Sequence, residues 1–327
     1  MRSKRQARIR SSILIDDLLS EAKAGSRRAI GRLLSVVEHG GADADALTES
    51  TFSTTNMPHV IGITGPPGSG KSTLVGKLVD TMMDKGHSPA ILAIDPSSPL
   101  SGGAILGDRI RIDGGQSDIF IRSMATRGHS GGLALAVPGA LRVFDVSGFD
   151  PIIIETVGVG QVEVDITAAA DTTIVVSNPG AGDTVQASKA GLLEVADIFV
   201  VNKADRPGAD GVCRDLDLML DLSHMTGQED ITGRRPPITM VNSLEGTGIE
   251  ELRAEIDSHK RYLDAMDQRV AARHRRLQAE VLTRVQVDLE HRAAASQRTE
   301  AGKDIRTDLS EGRISPIKAA ARLSELL

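Results

Sequence analysis

Tryptophan is absent from this 327-residue chain, tyrosine occurs once and phenylalanine five times. A core this poor in rings must be assembled from Ile, Leu, Val and Ala. It also leaves few aromatic platforms on which nucleic-acid bases could stack. Cys213 is the single cysteine, which excludes an internal disulfide framework and any thiolate metal cluster and suits a reducing compartment. As a residue it reads as a small, semi-buried side chain. No apolar run approaches the ~18 residues of a membrane span. The opening Met1-Arg2-Ser3-Lys4-Arg5-Gln6-Ala7-Arg8 is basic, but no apolar signal core and cleavage site follow it. The expectation is a cytoplasmic protein with no membrane partner.

The formal net charge of −6 conceals an asymmetry. Residues 259–327 carry 14 Lys/Arg against 10 Asp/Glu, a net of +4, which leaves −6 − 4 = −10 for the rest. A basic tail raises a nucleic-acid reading, strongest at Arg269, Arg273, Arg275 and Arg276 around His274. Acidic residues run through the same stretch, and no aromatics are interleaved. A solvated helix face or a partner-binding arm is the better reading, with no nucleic-acid partner.

What the chain does contain is glycine in a particular place. Gly65-Pro66-Pro67-Gly68-Ser69-Gly70-Lys71-Ser72-Thr73 is a complete G-x-x-x-x-G-K-S loop. The apolar run 59–64 before it reads as a buried strand, and residues 73–79 read as the first turns of a helix. In that setting the glycines let successive backbone N–H groups turn inward around phosphates. Lys71 supplies a charge to the β/γ oxygens, and the Ser72 hydroxyl is a ligand for Mg²⁺.

The base is specified further on. Asn202-Lys203-Ala204-Asp205 follows the apolar run 198–201. The Asp205 carboxylate at a strand end can accept from the ring N–H and exocyclic amine of guanine, a pair of donors that adenine lacks. Lys203 would lay its stem along the base, and Asn202 would tie this loop to the phosphate loop. Asn242-Ser243-Leu244 follows another strand and could contact the base carbonyl. GTP is therefore the expected nucleotide, held by Gly65 through Thr73, Gly158, Asn202, Lys203, Asp205, Asn242, Ser243 and Leu244.

Between these loops lie candidates to sense the γ-phosphate. Asp95 ends a strand, Asp108 closes a long Gly/Ser/Pro-rich loop, and Glu155-Thr156-Val157-Gly158 is an E-x-x-G at another strand end. Ser72, Asp95, Asp108 and Glu155 form the candidate Mg²⁺ set, and the Gly158 N–H can bond the γ-phosphate and release it after hydrolysis. Gln161 is a candidate to position water, although its spacing differs from that of Ras-like proteins. Arg109 or Arg111 could neutralise transition-state charge, or be surface residues.

Organisation follows from periodicity. Residues 9–38 predict two short helices broken at Gly25-Ser26, and Gly40 to Asn56 reads as a polar linker. Strands at 59–64, 89–94, 119–123, 151–155, 172–177, 198–202 and 237–241 alternate with helical segments. The fold class is α/β, a mainly parallel sheet with helices on both faces, binding ligands at the carboxyl ends of its strands. The chain is helical beyond residue 250, with Leu263, Met266, Val270, Leu277, Val281, Val285 and Leu289 in one stripe and a further helix near Ser315-Pro316. The three parts are 1–57 (helical extension and linker), 58–258 (nucleotide domain) and 259–327 (helical arm). The stripe must bury against the nucleotide domain or a second copy.

Taken together, the strings resemble the MeaB/ArgK family of P-loop GTPases. The resemblance is carried by Gly65 to Thr73, Asp95-Pro96-Ser97-Ser98-Pro99, Gly102 to Asp108, Arg127-Gly128 with Gly131 to Ala134, and Glu155-Thr156-Val157-Gly158-Val159-Gly160-Gln161. It continues in Pro179-Gly180-Ala181-Gly182-Asp183 through Gln186 and Lys189 to Gly191, and in Asp197 to Asp205. It implies a GTPase that dimerises through its C-terminal arm. It further implies a chaperone for an adenosylcobalamin-dependent acyl-CoA mutase, usually methylmalonyl-CoA mutase, gating cofactor loading and protecting or reactivating the mutase. Lys71, Asp108, Glu155, Gln161 and Lys189 would be its catalytic residues, and Asp183, Gln186 and Lys189 its partner-responsive switch. Departures from the pattern are Val162 where Ser is usual, Ser123-Met124-Ala125 in place of a Pro-containing run, and a shorter stretch between Ile112 and Phe120. Alternative readings are a nickel-enzyme metallochaperone, which would want a Cys/His site, and a transport-protein kinase.

Overall fold

The computed structural model describes residues 14–53, 56–96, 119–126, 132–156, 168–180, 195–225 and 234–327. Among the described residues seven strands form one sheet: β1 (Val60–Thr64), β2 (Ala90–Pro96), β3 (Phe120–Thr126), β4 (Ile152–Thr156), β5 (Thr172–Ser177), β6 (Ile198–Asn202) and β7 (Ile238–Val241). Every pairing is parallel, in the order β3-β2-β4-β1-β5-β6-β7. All seven strands fall where the apolar runs predict them. The reason is burial on both faces, which makes a strand an unbroken β-branched run rather than an alternating one.

Neighbouring residues of one strand serve opposite cores. Val60, Leu92, Ile152 and Ile154 point into one cluster, and Ile61, Ile63, Ile91 and Ile153 into another. The first cluster is covered by α1 (14–23), α2 (Arg27–His39), α3 (Gly41–Phe52) and α5 (Gly132–Val146). The second is covered by α4 (Lys71–Asp84) and α7 (Ile249–Ala265), and α6 (Ala209–Met225) closes a third against β6 and β7. Three of the five phenylalanines, Phe120, Phe144 and Phe149, meet with ring centroids 5.7–5.8 Å apart. The scarce rings are thus concentrated where α5 meets the β3 edge.

Gly25 separates α1 from α2 at φ +87°, and the Ser26 hydroxyl caps α2 by accepting from the Ala29 N–H at 3.3 Å. The reading of Gly40 to Asn56 as a linker requires correction, because α3 occupies most of it. Leu47 and Thr51 of α3 are buried, and Thr51 returns its hydroxyl to the Leu47 carbonyl at 2.8 Å. With few apolar positions the helix leaves little periodic signal, and tertiary contacts stabilise it, chiefly packing against α2 and α5 and the bonds of Arg284 to Asp45 and Thr48.

Beyond α7 the chain turns at Met266-Asp267, with Asp267 at φ +54°, into α8 (Gln268–Ser296). The tail also contains α9 (Glu300–Ser310), which periodicity does not single out, and α10 (Pro316–Ser324), capped by Ser315. The near half of α8 is fastened by ions. Arg142 of α5 grips Glu280 through two bonds of 2.9 and 2.8 Å, and Arg284 adds two more at 3.1 and 2.9 Å. Burial alone would raise the Glu280 pKa, but the two guanidinium groups hold it below the usual carboxylate value. Arg276 reaches Asp171 at 2.8 Å, and Arg269 reaches Asp264 at 2.8 Å. Two of the four arginines that suggested a basic patch therefore point inward. Along the far half, Val281, Leu282, Val285 and Leu289 are 42–70 % exposed.

A polar chain is buried where β1 and β5 begin. His59 Nε2 lies 2.7 Å from Thr172 Oγ1, which lies 2.9 Å from His259 Nδ1; His259 Nε2 is 3.5 Å from Asp197 Oδ1. One hydroxyl hydrogen serves two rings, so Thr172 donates to one and accepts from the other. Burial, reinforced by the nearby Arg269 charge, lowers the His59 pKa from 6.5 to about 3. The unfolded chain protonates this ring near pH 6.5 and the folded one does not, so stability is lost as pH falls from about 6.5 towards 3. The slope is at most about 1.4 kcal/mol per pH unit. Denaturant midpoints measured from pH 7 to 5 are expected to fall more steeply for the wild type than for His59→Gln. Parallel curves for the two proteins would refute this.

Candidate active site

The carboxyl ends of β1, β4, β6 and β7 gather the predicted loops on one edge of the sheet. β1 delivers residues 65–70, and α4 starts at Lys71. Two glycines there are sterically required. A Cβ on Gly65 (φ +143°) would sit 2.1 Å from the Val176 carbonyl oxygen, and one on Gly70 (φ +91°) would sit 2.4 Å from Asn202 Nδ2. Any side chain would force β5 or the base loop away from the phosphate loop. Pro66 and Pro67 form its outer turn with Gly68, and Thr73 is exposed on the first turn of α4.

Lys71 is buried, and its Nζ donates to the carbonyls of Gly65 at 2.7 Å and Pro66 at 3.0 Å. The ammonium thus lies inside the curve of the loop, at the positive end of α4. Ser69 is also wholly buried, and its hydroxyl has no hydrogen-bond partner among the described residues. An orphaned buried hydroxyl carries a cost of about 1–3 kcal/mol, so its place in a phosphate loop is suited to an anionic oxygen. The Ser72 hydroxyl donates to Glu155 Oε1 at 2.6 Å, and Glu155 itself is 2 % exposed at the end of β4. Two hard oxygen donors therefore converge from α4 and β4, which fits the ligand chemistry of Mg²⁺. Thr156 donates to Thr64 at 3.2 Å and pins the adjacent strand ends.

Asn202 organises the base side. Its Nδ2 donates to the Ser69 carbonyl at 2.8 Å, while its Oδ1 accepts from the Lys203 N–H at 2.8 Å, the Ser243 N–H at 3.2 Å and the Ser243 hydroxyl at 2.7 Å. One side chain ties together the phosphate loop, the N-K-x-D loop and the loop after β7. Lys203 adopts φ +58°, and its Nζ reaches the Gly68 carbonyl at 2.6 Å, so its stem spans from one loop to the other. Asp205 is exposed and free to meet a ligand edge. Asn242 Oδ1 accepts from the Leu244 N–H at 3.1 Å, which turns the loop and leaves Leu244 77 % exposed.

Asp95 lies on β2 beside β4, at the same sheet edge, where Ala93 registers with Glu155. Asp108, Gly158, Gln161, Asp183, Gln186 and Lys189 lie outside the described residues, as do Arg109 and Arg111. Sequence reading missed the participation of Ser243 in the Asn202 junction, the Thr64–Thr156 bond, and the pairing of Ser72 with Glu155. A Ser or Thr at a strand end has no motif of its own, so only the register brings these groups together.

A family model for the methylmalonyl Co-A mutase-associated GTPase MeaB matches residues 30–298. A provisional GTPase of Pyrococcus abyssi is 43% identical over 309 residues, covering 94% of this chain and 95% of its own. The GTPase ArgK of Escherichia coli is 32% identical over 250 residues, covering 74% and 75%. Residues of a fused isobutyryl-CoA mutase of Cupriavidus metallidurans are 37% identical over 204 positions, 61% of this chain and 19% of that one. Among solved structures, a LAO/AO transport system kinase superposes with a TM-score of 0.69 at 22% identity, over 95% of this chain and 96% of its own, which shows a shared fold. The chain belongs to the MeaB family of P-loop GTPases.

Proposed function

We propose that this GTPase is a chaperone for an adenosylcobalamin-dependent acyl-CoA mutase, methylmalonyl-CoA mutase first among them, using GTP hydrolysis to gate cofactor loading and to protect or reactivate the mutase. The observation that carries the reading is the family match over residues 30–298. The mutase relative that holds a similar segment within its own polypeptide supports it, since fusion places GTPase and mutase at one effective concentration.

In this reading the chain's own groups divide the work. The backbone of Gly65 to Ser72 surrounds the phosphates, and Lys71 turns its ammonium from the loop carbonyls to the β/γ oxygens. Asn202 holds the base loop in register, Asp205 accepts from guanine, and Leu244 covers the base. Ser72 and Glu155, with Asp95 and Asp108, would hold Mg²⁺, whose charge would offset that on the phosphates. Gly158 would bond the γ-phosphate, and Gln161 is the candidate to orient water. Asp183, Gln186 and Lys189 would answer to the mutase.

We also assign residues 1–57, 58–258 and 259–327 to extension, nucleotide domain and arm, with a homodimer formed through the arm. The exposed stripe of Val281, Leu282, Val285 and Leu289 supports that assignment, because a lone helix face this apolar is favoured by a partner. The test is GTP hydrolysis by the purified protein, alone and with a methylmalonyl-CoA mutase from the same source. Stimulation of several-fold or more is expected. An unchanged rate, with no complex detected by light scattering, would overturn the mutase assignment and leave the GTPase intact.

A further inference from the structure

A cleft of about 320 Å³ opens at the other edge of the sheet from the phosphate loop. Its floor includes Val60 and Asp171, where β1 and β5 begin, so the five residues of β1, about 16 Å at ~3.3 Å each, separate it from Gly65. Its walls come from α3, α5 and α8, and Phe52, Val137, Leu141 and Leu277 make them apolar. The volume falls at the lower end of the range for small-molecule sites, about 300–1,000 Å³.

The charges at its rim are unbalanced. Arg142, Arg269, Arg273 and Arg276 line it against Asp145, Asp171 and Glu280, a sum of 4 − 3 = +1. The excess belongs to Arg273, which has no hydrogen-bond or ion-pair partner among the described residues. Nε of Arg142 and Nε of Arg269 are buried without a hydrogen-bond acceptor, although Asp171 lies 3.6 Å from the latter. Arg269 is 93 % buried by its 7 % exposure, so water does not serve that donor freely. The two Nε donors are buried behind the cleft wall, so the group left to meet a ligand is the Arg273 guanidinium beside an apolar pocket, which matches one kind of small molecule.

We propose that this cleft binds a monoanionic carboxylate with an apolar chain, the carboxylate on Arg273 and the chain against Phe52 and Leu141. Such a ligand touches α3, α5 and α8 at once, and so clamps the C-terminal helices onto the sheet. Burying the chain supplies the affinity, and the guanidinium selects the charge.

The test is calorimetric titration of the full chain with octanoate, with octanol and acetate as controls for charge and chain. Saturable 1:1 binding of octanoate is expected, at least about tenfold tighter than either control. Arg273→Ala should weaken it about tenfold, the scale of one charge-assisted hydrogen bond. Ala279→Trp, at an exposed rim position of α8, should abolish it by filling the mouth. The chain has no other Trp, so fluorescence of that variant also reports whether the mouth is folded. Absence of octanoate binding, equal binding of octanol, or an unaltered affinity in Arg273→Ala would each overturn the proposal.

Discussion

Lys71→Ala is expected to abolish tight GTP binding, weakening it by at least ~100-fold, or ~2.7 kcal/mol. The buried ammonium lies 2.7 Å from the Gly65 carbonyl and 3.0 Å from that of Pro66, within the turn that phosphates would enter. Truncation removes its charge from a site shielded from water, where a charge-assisted bond is worth more than at the surface. It also leaves two inward-facing carbonyls opposed to an anion, so the loss exceeds that of one hydrogen bond. Lys71→Arg should not rescue, because a planar fork has a different reach and shape from a point charge. A fluorescent GTP analogue titrated against both variants, with circular dichroism to verify the fold, measures this. Affinity within threefold of the wild type would sink the phosphate-loop assignment.

Asp205→Asn is the second large expected effect, and it concerns selectivity rather than affinity alone. A carboxylate accepts from both donors of the guanine edge; an amide presents one acceptor and one donor. Xanthine carries an oxygen where guanine carries the amine, so the amide can donate to it. The ratio of GTP to xanthosine triphosphate affinity should fall by on the order of 10²-fold or more, as expected when a site's hydrogen-bonding pattern is mismatched. Asp205 is exposed, and Lys203 and Asn202 beside it are fixed by bonds to Gly68 and Ser69, so the substitution changes chemistry without moving the loop. A competition assay with the two nucleotides reads the ratio directly. An unaltered preference would place guanine recognition elsewhere, with the loop after β7 the first candidate.

Both predictions involve residues legible without coordinates, and the same holds for the sheet. Seven apolar runs gave seven strands, because two-sided burial writes itself as consecutive β-branched residues whatever the neighbours are. The helix α3 was not legible. Its few apolar positions among Asp, Thr and Ser read as linker, and its stability comes chiefly from α2 and α5, which are contacts a local window does not contain. The tail shows the same limit. Its stripe is visible in the sequence, but Arg269 and Arg276 read as a basic surface until the fold brings Asp171 beneath them.

By itself the sequence determined the phosphate loop, the guanine motif, the parallel α/β class and the family, because each is a local string or period with a fixed physical consequence. Tertiary structure decided what no string encodes. It made Asn202 the junction of three loops, set Ser72 against Glu155, turned half of a basic cluster inward, and opened the cleft on the far edge of the sheet. Those depend on groups distant in the chain meeting across strands, and only strand order and register specify which groups meet.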